Sequence, residues 1–213
     1  MGIVERKERE KAERRRSILE AARELIQEKT FEEITMEDLA KRLELSRATL
    51  YLYFRNKSEI YTTLLIEGMR ELESGYDEVL ARGPLEPLEK LQAFAFVFFQ
   101  FYQGNHNYFD LIVTKRAELR KDIGDEVLAD LEQAGNSVIQ PLVNIINEGA
   151  ENGEFPAGPP EKMAWLLRAV AIGFAVGIRE GKIKFPEDLP LAQQLLLYGL
   201  KGHRSADPDK KKD

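Results

Sequence analysis

The sequence contains no cysteine, only two histidines and a single tryptophan. Without cysteine there is no disulfide framework, no thiolate nucleophile and no cysteine-based zinc site. His106 and His203 lie far apart, and neither has a partner at the spacing of a metal ligand. We therefore expect no metal and no cofactor, and the lack of cysteine fits a reducing cytoplasm.

Motifs of catalysis are missing as well. The chain has no G-x-S-x-G elbow, no P-loop, no dinucleotide-binding fingerprint and no H-E-x-x-H motif. Its carboxylates are scattered along stretches that the pattern predicts to be solvated helix faces. We expect a protein that is not an enzyme, and a small helical enzyme is the weaker alternative.

A secretion signal and a long apolar run are also absent from the sequence. The first residues are charged, and no apolar stretch follows them. The longest apolar run, Met163–Ile178, contains Arg168 and is too short to span a bilayer. We expect a cytoplasmic protein with no membrane partner.

Negative charge dominates the chain as a whole but not its beginning. The net charge is −6 over 213 residues, yet residues 1–60 hold 14 Lys and Arg against 13 Asp and Glu. Arg14, Arg15 and Arg16 form a basic cluster within that part. Phosphate contacts depend on local charge, so an acidic chain can still bind DNA there. The charged run is either a solvated helical extension or an arm that touches DNA.

Residues 35–57 predict two short helices joined by a tight turn, followed by the start of a third. Thr35 and Ser46 are N-cap candidates, and Asn56 caps the third helix with Glu59 as its partner. The apolar residues of this stretch would pack the helices together. Two short helices with a tight turn form the helix-turn-helix arrangement, whose second helix enters the major groove of DNA.

The side chains expected to face outward from this stretch suit DNA. Arg47 can donate two hydrogen bonds to guanine, and Thr49 can reach a base edge or a phosphate. Tyr51 and Tyr53 offer hydroxyls to phosphates, and Lys57 lies at a helix start close to the DNA backbone. An ordinary solvated face would carry more Glu and Lys and fewer aromatic residues.

At these positions the sequence resembles the tetracycline-repressor (TetR) family of bacterial transcription regulators, over about residues 14–65. The family segment runs approximately T-x-x-x-[IL]-A-x-x-x-x-[VL]-S-x-x-T-[LIF]-Y-x-[YH]-F-x-[NS]-K. The matching residues are Thr35, Leu39, Ala40, Leu45, Ser46, Thr49, Leu50, Tyr51, Tyr53, Phe54, Asn56 and Lys57. Glu44 stands where the family usually has Gly, and Ala48 where Gly or Pro is common. If the turn needs a left-handed residue, Glu44 costs on the order of 1 kcal/mol.

The resemblance implies an all-α fold of about nine helices. A three-helix helix-turn-helix DNA-binding domain would occupy residues 1–55, an all-helical ligand-binding and dimerisation domain residues 56–203, and a polar tail residues 204–213. The implied function is a homodimeric transcription regulator, most often a repressor. Its partners would be double-stranded operator DNA, a second copy of itself and a small apolar or amphipathic effector. The predicted DNA-binding residues are Arg16, Thr35, Ser46, Arg47, Ala48, Thr49, Tyr51, Tyr53, Asn56 and Lys57.

The helix predicted at 84–103 carries aromatic residues on every side. It is either a fully buried core helix or the wall of an apolar ligand cavity, and both can hold at once. A helical ligand-binding protein without a DNA role is the alternative function, but it would leave Arg47, Thr49 and Lys57 without a purpose. The predicted effector site is lined by Phe94, Phe98, Phe101, Tyr102, Phe109 and Trp165.

Two apolar helices are predicted near the end of the chain, at 160–180 and about 189–202. The first contains small residues that would let another helix approach closely. We predict that two helices from each chain form a four-helix dimer interface, with simple core packing as the alternative. The predicted interface residues are Ala171, Gly173, Gly177, Leu196 and Leu200.

Overall fold

The computed structural model describes residues 2–105 and 119–200. Within those residues the chain is all-α, with eight helices and no strand, which confirms the predicted fold class. The short helix predicted at 108–114 and the polar tail lie outside the described residues. The helices are α1 Ile3–Glu28, α2 Met36–Arg42, α3 Arg47–Tyr51, α4 Lys57–Ala81, α5 Pro87–Gly104, α6 Asp125–Glu151, α7 Pro160–Arg179 and α8 Leu189–Leu200.

The chain folds as two compact units. The first comprises Met1–Glu71 with Asn105–Gly135, and the second comprises Leu72–Gly104 with Asn136–Asp213. Helices α4 and α6 each begin in the first unit and end in the second. Compactness alone does not assign a function, so the predicted functional boundary at residue 55 stays a prediction.

The core of the first unit joins α1 to the two short helices and the first turns of α4. Ile18, Leu39, Leu50 and Ile60 are completely buried in one cluster. Each fully buried aliphatic side chain of this kind contributes about 1.5–3 kcal/mol. The buried Tyr61 hydroxyl donates to the Ala22 carbonyl at 3.4 Å, so this hydroxyl has a partner within the core. This packing fixes how α2 and α3 sit on α1.

Aromatic residues dominate the second unit. Tyr76 on α4 stacks on Phe94 on α5, with ring centroids 4.0 Å apart and an interplanar angle of 1°. At the end of α6 the Phe155 ring packs directly on Gly149, where a Cβ atom would lie 2.1 Å from the ring. Only glycine allows that approach. Among the described helices, none combines the length and the apolar character that crossing a membrane requires.

Candidate DNA-binding surface and effector cavity

Helix α2 begins with the reciprocal cap that the sequence predicts. The Asp38 backbone N–H donates to the Thr35 hydroxyl at 3.1 Å, and the Thr35 backbone N–H donates to the Asp38 carboxylate at 2.9 Å. A hydrogen bond from the Thr35 hydroxyl and a second from Lys29 hold the pKa of Asp38 well below its usual range. Asp38 is therefore ionised at neutral pH and keeps the cap closed.

The turn between α2 and α3 does require a left-handed residue. Glu44 has φ = +53°, at the position where the family usually has glycine. Two hydrogen bonds close the end of α2 around it, from Leu45 N–H to the Ala40 carbonyl at 2.9 Å and from Glu44 N–H to the Lys41 carbonyl at 3.2 Å. This double closure is the Schellman arrangement, and it is formed here without glycine.

Helix α3 is short and presents a polar face. Ser46 caps it, since the Thr49 N–H donates to the Ser46 hydroxyl at 3.0 Å. The two hydroxyl oxygens are also 2.8 Å apart, so Ser46 and Thr49 form a hydrogen bond with each other. Part of their hydrogen-bonding capacity is therefore used within the protein. Arg47, Ala48 and Tyr51 are exposed, as are Arg16 and Thr35, whereas Thr49 and Tyr53 are half-buried.

Arg47 extends from the first turn of α3 with 59% of its side chain exposed. Interaction with the Tyr51 side chain raises the pKa of Arg47 above its ordinary value. Its Nε lies 3.9 Å from the Glu37 carboxylate on α2, which is also exposed. An exposed pair of this kind is weak, so it leaves the guanidinium able to exchange Glu37 for a base edge.

Arg15 divides the basic cluster of α1. Its guanidinium donates to the Tyr53 carbonyl at 2.6 Å and lies 4.1 Å from the centre of the Phe54 ring. It therefore ties α1 to the chain that leaves α3. Arg14 and Arg16 remain exposed on the same helix. Within this cluster, Arg15 is therefore held by contacts inside the protein, and Arg14 and Arg16 are the two exposed arginines.

Lys57 points inward and not away from the surface. Its ammonium donates to the Phe31 carbonyl at 2.6 Å and lies 4.3 Å from the centre of the Phe31 ring. It thereby ties the start of α4 to the segment between α1 and α2. The predicted phosphate contact of Lys57 remains a prediction, but it would have to compete with these bonds.

Asn56 has two partners within the protein. Its Oδ1 accepts from the Glu59 N–H at 2.8 Å, which makes it the N-cap of α4 as predicted. The Glu59 carboxylate accepts from the Arg55 backbone N–H at 2.7 Å. The predicted capping box would use the Asn56 N–H instead, so the bond forms one residue earlier in the chain. The Asn56 side-chain amide donates to the Asp122 carbonyl at 2.8 Å.

Three features of the first unit are missing from the sequence-based prediction. Leu119, far along the chain, is 1% exposed inside the core that supports α2 and α3. Leu52 follows α3 and is 78% exposed, which suits an apolar contact with a thymine methyl group. Arg15 fixes the exit of α3. Only Leu52 carries a signal in the sequence, since an apolar residue between two tyrosines of the motif breaks the polar face.

The second unit contains an apolar cavity of about 130 Å³. That is roughly ten times the space that one water molecule needs. All five longer helices from α4 to α8 contribute to its wall. The lining residues are Leu72, Tyr76, Leu88, Leu91, Gln92, Phe94, Ala95, Phe98, Phe99, Val138, Ile139, Leu142, Leu167, Arg168, Val170, Ala171, Phe174, Leu189, Ala192 and Gln193.

Known proteins resemble this chain both in the helix-turn-helix segment and over most of its length. Residues 18–64 match the family of bacterial regulatory proteins of the tetR type. The transcriptional activator FasR of Mycolicibacterium smegmatis is 30% identical over 188 residues, which cover 88% of this chain and 79% of FasR. The chain belongs to the TetR family. It is a transcription regulator, and these relatives confirm the prediction that it is not an enzyme.

Two further likenesses to TetR-family proteins extend over most of the chain. The fatty acid metabolism regulator protein of Bacillus subtilis is 28% identical over 151 residues, covering 69% of this chain and 73% of that protein. The solved structure of FadR from Bacillus subtilis in complex with stearoyl-CoA has a TM-score of 0.69 at 21% identity, covering 86% of this chain and 98% of FadR. The second likeness shows that the fold is shared over most of the chain.

The cavity of this TetR-family regulator differs in part from the predicted site. Phe94 and Phe98 line it, but Phe101, Tyr102 and Trp165 do not, and Phe109 lies outside the described residues. Tyr102 is buried in the packing around α5, and Trp165 is 48% exposed. Successive residues on a helix point in directions about 100° apart, so neighbouring aromatic residues cannot all face one cavity. Tyr76, Phe99 and Phe174 line the cavity although the predicted site does not include them.

The predicted interface residues also separate into different environments. Ala171 lines the cavity of its own chain. A Cβ atom on Gly177 would lie 2.5 Å from Ile183 of the same chain, so Gly177 serves a close intramolecular approach. A Cβ atom on Gly173 would meet nothing within 4 Å. The side chains of Leu196 and Leu200 lie outside the described residues, so their place in an interface stays a prediction.

An exposed apolar stripe runs along α7 and α8. It consists of Trp165, Leu166, Val170, Leu191 and Leu195, which are between 46% and 67% exposed. Gly173 lies on the same face of α7 as Leu166 and Val170, because residues three, four and seven apart share a helix face. Several large exposed apolar side chains on neighbouring turns of a helix favour a site of protein association.

Proposed function

We propose that this regulator is a cytoplasmic homodimeric repressor that a small apolar or amphipathic molecule releases from its operator. The observation that carries the proposal is the apolar cavity in a chain that also contains a helix-turn-helix. A packed core has few voids larger than a water molecule, so a cavity of about 130 Å³ supports a role in ligand binding. Walls of this composition favour flat or long apolar molecules.

The relatives favour a fatty-acyl effector. One is named for the control of fatty acid metabolism, and FadR binds stearoyl-CoA in its solved structure. Such a molecule joins a long apolar chain to a charged head. The cavity offers aliphatic and aromatic walls for the chain, together with the polar groups of Tyr76, Gln92, Arg168 and Gln193. The proposed effector is therefore an amphipathic acyl compound.

The exposed side chains around α3 take the direct contacts with DNA. Arg47 reads a base, with Ala48 close enough to the groove for apolar contact. The residues that contact the sugar-phosphate backbone are Arg16, Thr35, Tyr51 and Tyr53. Exposure supports these roles for Arg16, Thr35, Arg47, Ala48 and Tyr51, and the half-buried Tyr53 keeps its role from the family resemblance.

Four further residues of the predicted DNA-binding set act mainly within the protein. Ser46, Thr49 and Asn56 form the caps that aim the helices. Lys57 acts mainly through its bond to the segment between α1 and α2. Their substitution should therefore disturb DNA binding by moving α3 and not by removing a contact.

The apolar stripe on α7 and α8 supports the proposed homodimer. A dimer must place two recognition helices about 34–36 Å apart to engage successive major grooves. Loss of that spacing releases one half-site, and single half-sites bind weakly. Helix α4 supplies the mechanical link, because Ile60 and Leu64 belong to the DNA-binding core while Leu72 and Tyr76 line the cavity.

The decisive experiment measures effector affinity with and without operator DNA. Coupling between sites is reciprocal, so operator must weaken the effector by the same factor by which effector weakens operator. A factor of about 5–150 is typical of such coupling. Equal effector affinities in the two states, for a molecule bound in the cavity, would show that the molecule is not the inducer.

An activator is the second candidate function. FasR, which matches most of this chain, is named a transcriptional activator. Transcription in a purified system from the regulated promoter separates the two functions. A repressor lowers transcript yield and effector restores it, whereas an activator raises the yield above that of polymerase alone.

The dimer surface has a matched pair of glycines for its test. Gly173→Leu adds a side chain whose Cβ atom meets nothing within 4 Å, so the fold should hold and self-association should fall. Gly177→Leu instead presses on Ile183 and should affect folding first. Sedimentation at micromolar concentration measures the oligomeric state of both variants. A Gly173→Leu chain that stays dimeric would contradict the proposed interface.

A further inference from the structure

We infer that Arg168 is the anchor for an anionic head group in the cavity, and that it selects amphipathic anions over neutral molecules with the same chain. This inference rests on the proposed effector role of the cavity and adds the chemical class of the ligand's head. The shared chemistry is a carboxylate or phosphate attached to an alkyl or acyl chain. Such an anion comes either from a free fatty acid or from the phosphates of an acyl-CoA.

The composition of the cavity wall supports this assignment. Sixteen of the twenty described lining residues are apolar, and Arg168 is the only one with a formal charge at neutral pH. Arginine stays protonated even in apolar surroundings, so the cavity wall carries a permanent positive charge. A charge beside apolar walls has lost part of its hydration, and an anion that replaces it binds more strongly than it would in bulk water.

Arg168 lies at the edge of the apolar wall. Leu167, Ala171 and Phe174 form one face of α7 towards the cavity, and Arg168 flanks that face by about 100° of helix rotation. The Arg168 side chain is half-buried, and arginines in such places typically pack their stem on apolar surface while the guanidinium reaches water. This placement suits a ligand whose chain fills the cavity and whose head stays at the rim.

Two aromatic residues, Trp165 and Tyr76, interact with Arg168. The central carbon of its guanidinium lies 5.0 Å from the centre of the Trp165 ring, a distance at which an arginine is held over an aromatic face. Burial raises the pKa of Tyr76, while the charge of Arg168 acts in the opposite direction on the same group. Tyr76 therefore stays a neutral phenol in the wall and adds no negative charge beside Arg168.

Gln92 and Gln193 complete the polar part of the lining. Their amides donate and accept hydrogen bonds but carry no charge. They can bind the carbonyl of a thioester or the hydroxyl of an alcohol equally well. They therefore do not distinguish an anion from a neutral head, and that distinction falls to Arg168.

The experiment compares dodecanoate with dodecanol, which share a chain but differ in head charge. Both are titrated into the full-length wild-type protein below their aggregation limits, and binding is followed by calorimetry. A hydrogen bond to a charged group predicts that dodecanoate binds about tenfold to a hundredfold more tightly than dodecanol. Dodecanoyl-CoA forms a third arm, which tells a phosphate source from a carboxylate source.

Arg168→Gln should remove the preference for dodecanoate and leave dodecanol affinity within about threefold of wild type. Arg168→Lys keeps the charge without the planar fork and should retain part of the preference. Arg179→Gln is the matched control, because Arg179 lies exposed in the last turn of the same helix and away from the cavity lining. Thermal unfolding and sedimentation confirm that each variant is folded and has the wild-type oligomeric state.

Equal binding of dodecanoate and dodecanol by the wild type, together with unchanged dodecanoyl-CoA binding in Arg168→Gln, would overturn the role of Arg168 and leave the cavity an effector site. Equal loss of both ligands in Arg168→Gln would reduce Arg168 to a packing residue of the wall. Failure of the folded wild type to bind any of the three probes would overturn the amphipathic effector itself. If Arg168→Gln lowers only dodecanoyl-CoA binding, phosphate is the recognised head.

Discussion

The functional regions of the two units are built from different kinds of interaction. In the first unit, individual side chains bind particular backbone atoms: Arg15 binds the Tyr53 carbonyl, Lys57 the Phe31 carbonyl and Asn56 the Asp122 carbonyl. In the second unit, the described functional feature is an apolar cavity bounded by side chains from five helices. Reading DNA requires side chains held to within fractions of an ångström, whereas sensing apolar molecules requires space that can adapt.

The difference shows how each unit should respond to change. Directional bonds fail when one partner is removed, because the remaining polar group is left buried or half-buried without its partner. Apolar walls tolerate substitutions that conserve volume, because packing energy is spread over many contacts. Ligand specificity within this family fold can therefore change without loss of the DNA-binding geometry.

The largest loss of stability should come from Leu119→Ala. Leu119 is 1% exposed in the core that carries α2 and α3, so its removal leaves a cavity beneath the DNA-binding surface. The expected loss is about 2–5 kcal/mol in the free energy of unfolding. Urea unfolding followed by circular dichroism measures it, together with operator affinity.

Leu52→Ala serves as the control for that experiment. Leu52 is 78% exposed, so its removal should change stability by no more than about 0.5 kcal/mol. Equal stability of the two variants would show that Leu119 is not part of the working core of the first unit. It would then be a passive neighbour of α1 and α4.

Local structure in the first unit was predictable from the sequence, because its signals act over three or four residues. Thr35, Ser46 and Asn56 cap the helices as predicted, and Glu44 has a left-handed conformation at the position where the family usually has glycine. The position of Leu119 could not be predicted in this way. Its contacts join residues more than fifty positions apart, and no local spacing encodes them.

The cavity could be predicted only in outline. An aromatic helix indicated that an apolar site was possible, and two of its predicted residues line the wall. Which face of α5 or α7 turns inward depends on how several helices rotate against one another. That rotation placed Ala171 in the cavity and Trp165 at the surface, which is the reverse of what the sequence pattern suggested.

Arg47→Ala tests the reading of sequence by the first unit. Loss of a bidentate contact with guanine should cost about 1–3 kcal/mol on operator DNA and relax specificity at one position. Affinity for random DNA should change far less. Fluorescence anisotropy with operator and scrambled duplexes measures both values.

Lys41→Ala is the matched control, because Lys41 pairs with the same Glu37 carboxylate and is exposed on α2. Its loss removes a similar charge without removing a residue of α3. If Arg47→Ala weakens operator and random DNA equally, Arg47 contacts only phosphates and sequence reading resides elsewhere on α3.

Lys57→Met separates a structural role from a phosphate contact. Loss of the hydrogen bond to the Phe31 carbonyl and of the contact with the Phe31 ring should lower the free energy of unfolding by about 1–2 kcal/mol. A phosphate contact would instead lower the slope of log affinity against log salt by about 1. Chemical unfolding and a salt titration of operator binding, both run with Lys41→Met as the exposed control, measure the two effects. Unchanged stability together with a reduced salt slope would show that Lys57 contacts a DNA phosphate and is not mainly structural.

The smallest effect should come from Glu44→Gly, and it should be stabilising. Glu44 holds φ = +53°, which a residue with a Cβ atom adopts at a cost of about 1–2 kcal/mol. Glycine removes that cost but brings extra freedom to the unfolded chain, so the expected net gain is about 0.5–1 kcal/mol. Glu44→Ala keeps the Cβ atom while removing the charge, and it should bring no such gain. Thermal unfolding of wild type, Glu44→Gly and Glu44→Ala under identical conditions measures these differences.

An equal gain in stability in both variants would assign the effect to the Glu44 carboxylate and not to the backbone. A loss of stability in Glu44→Gly would mean that the turn is held by contacts of the Glu44 side chain, and the Schellman closure of α2 would then not explain the residue's conformation.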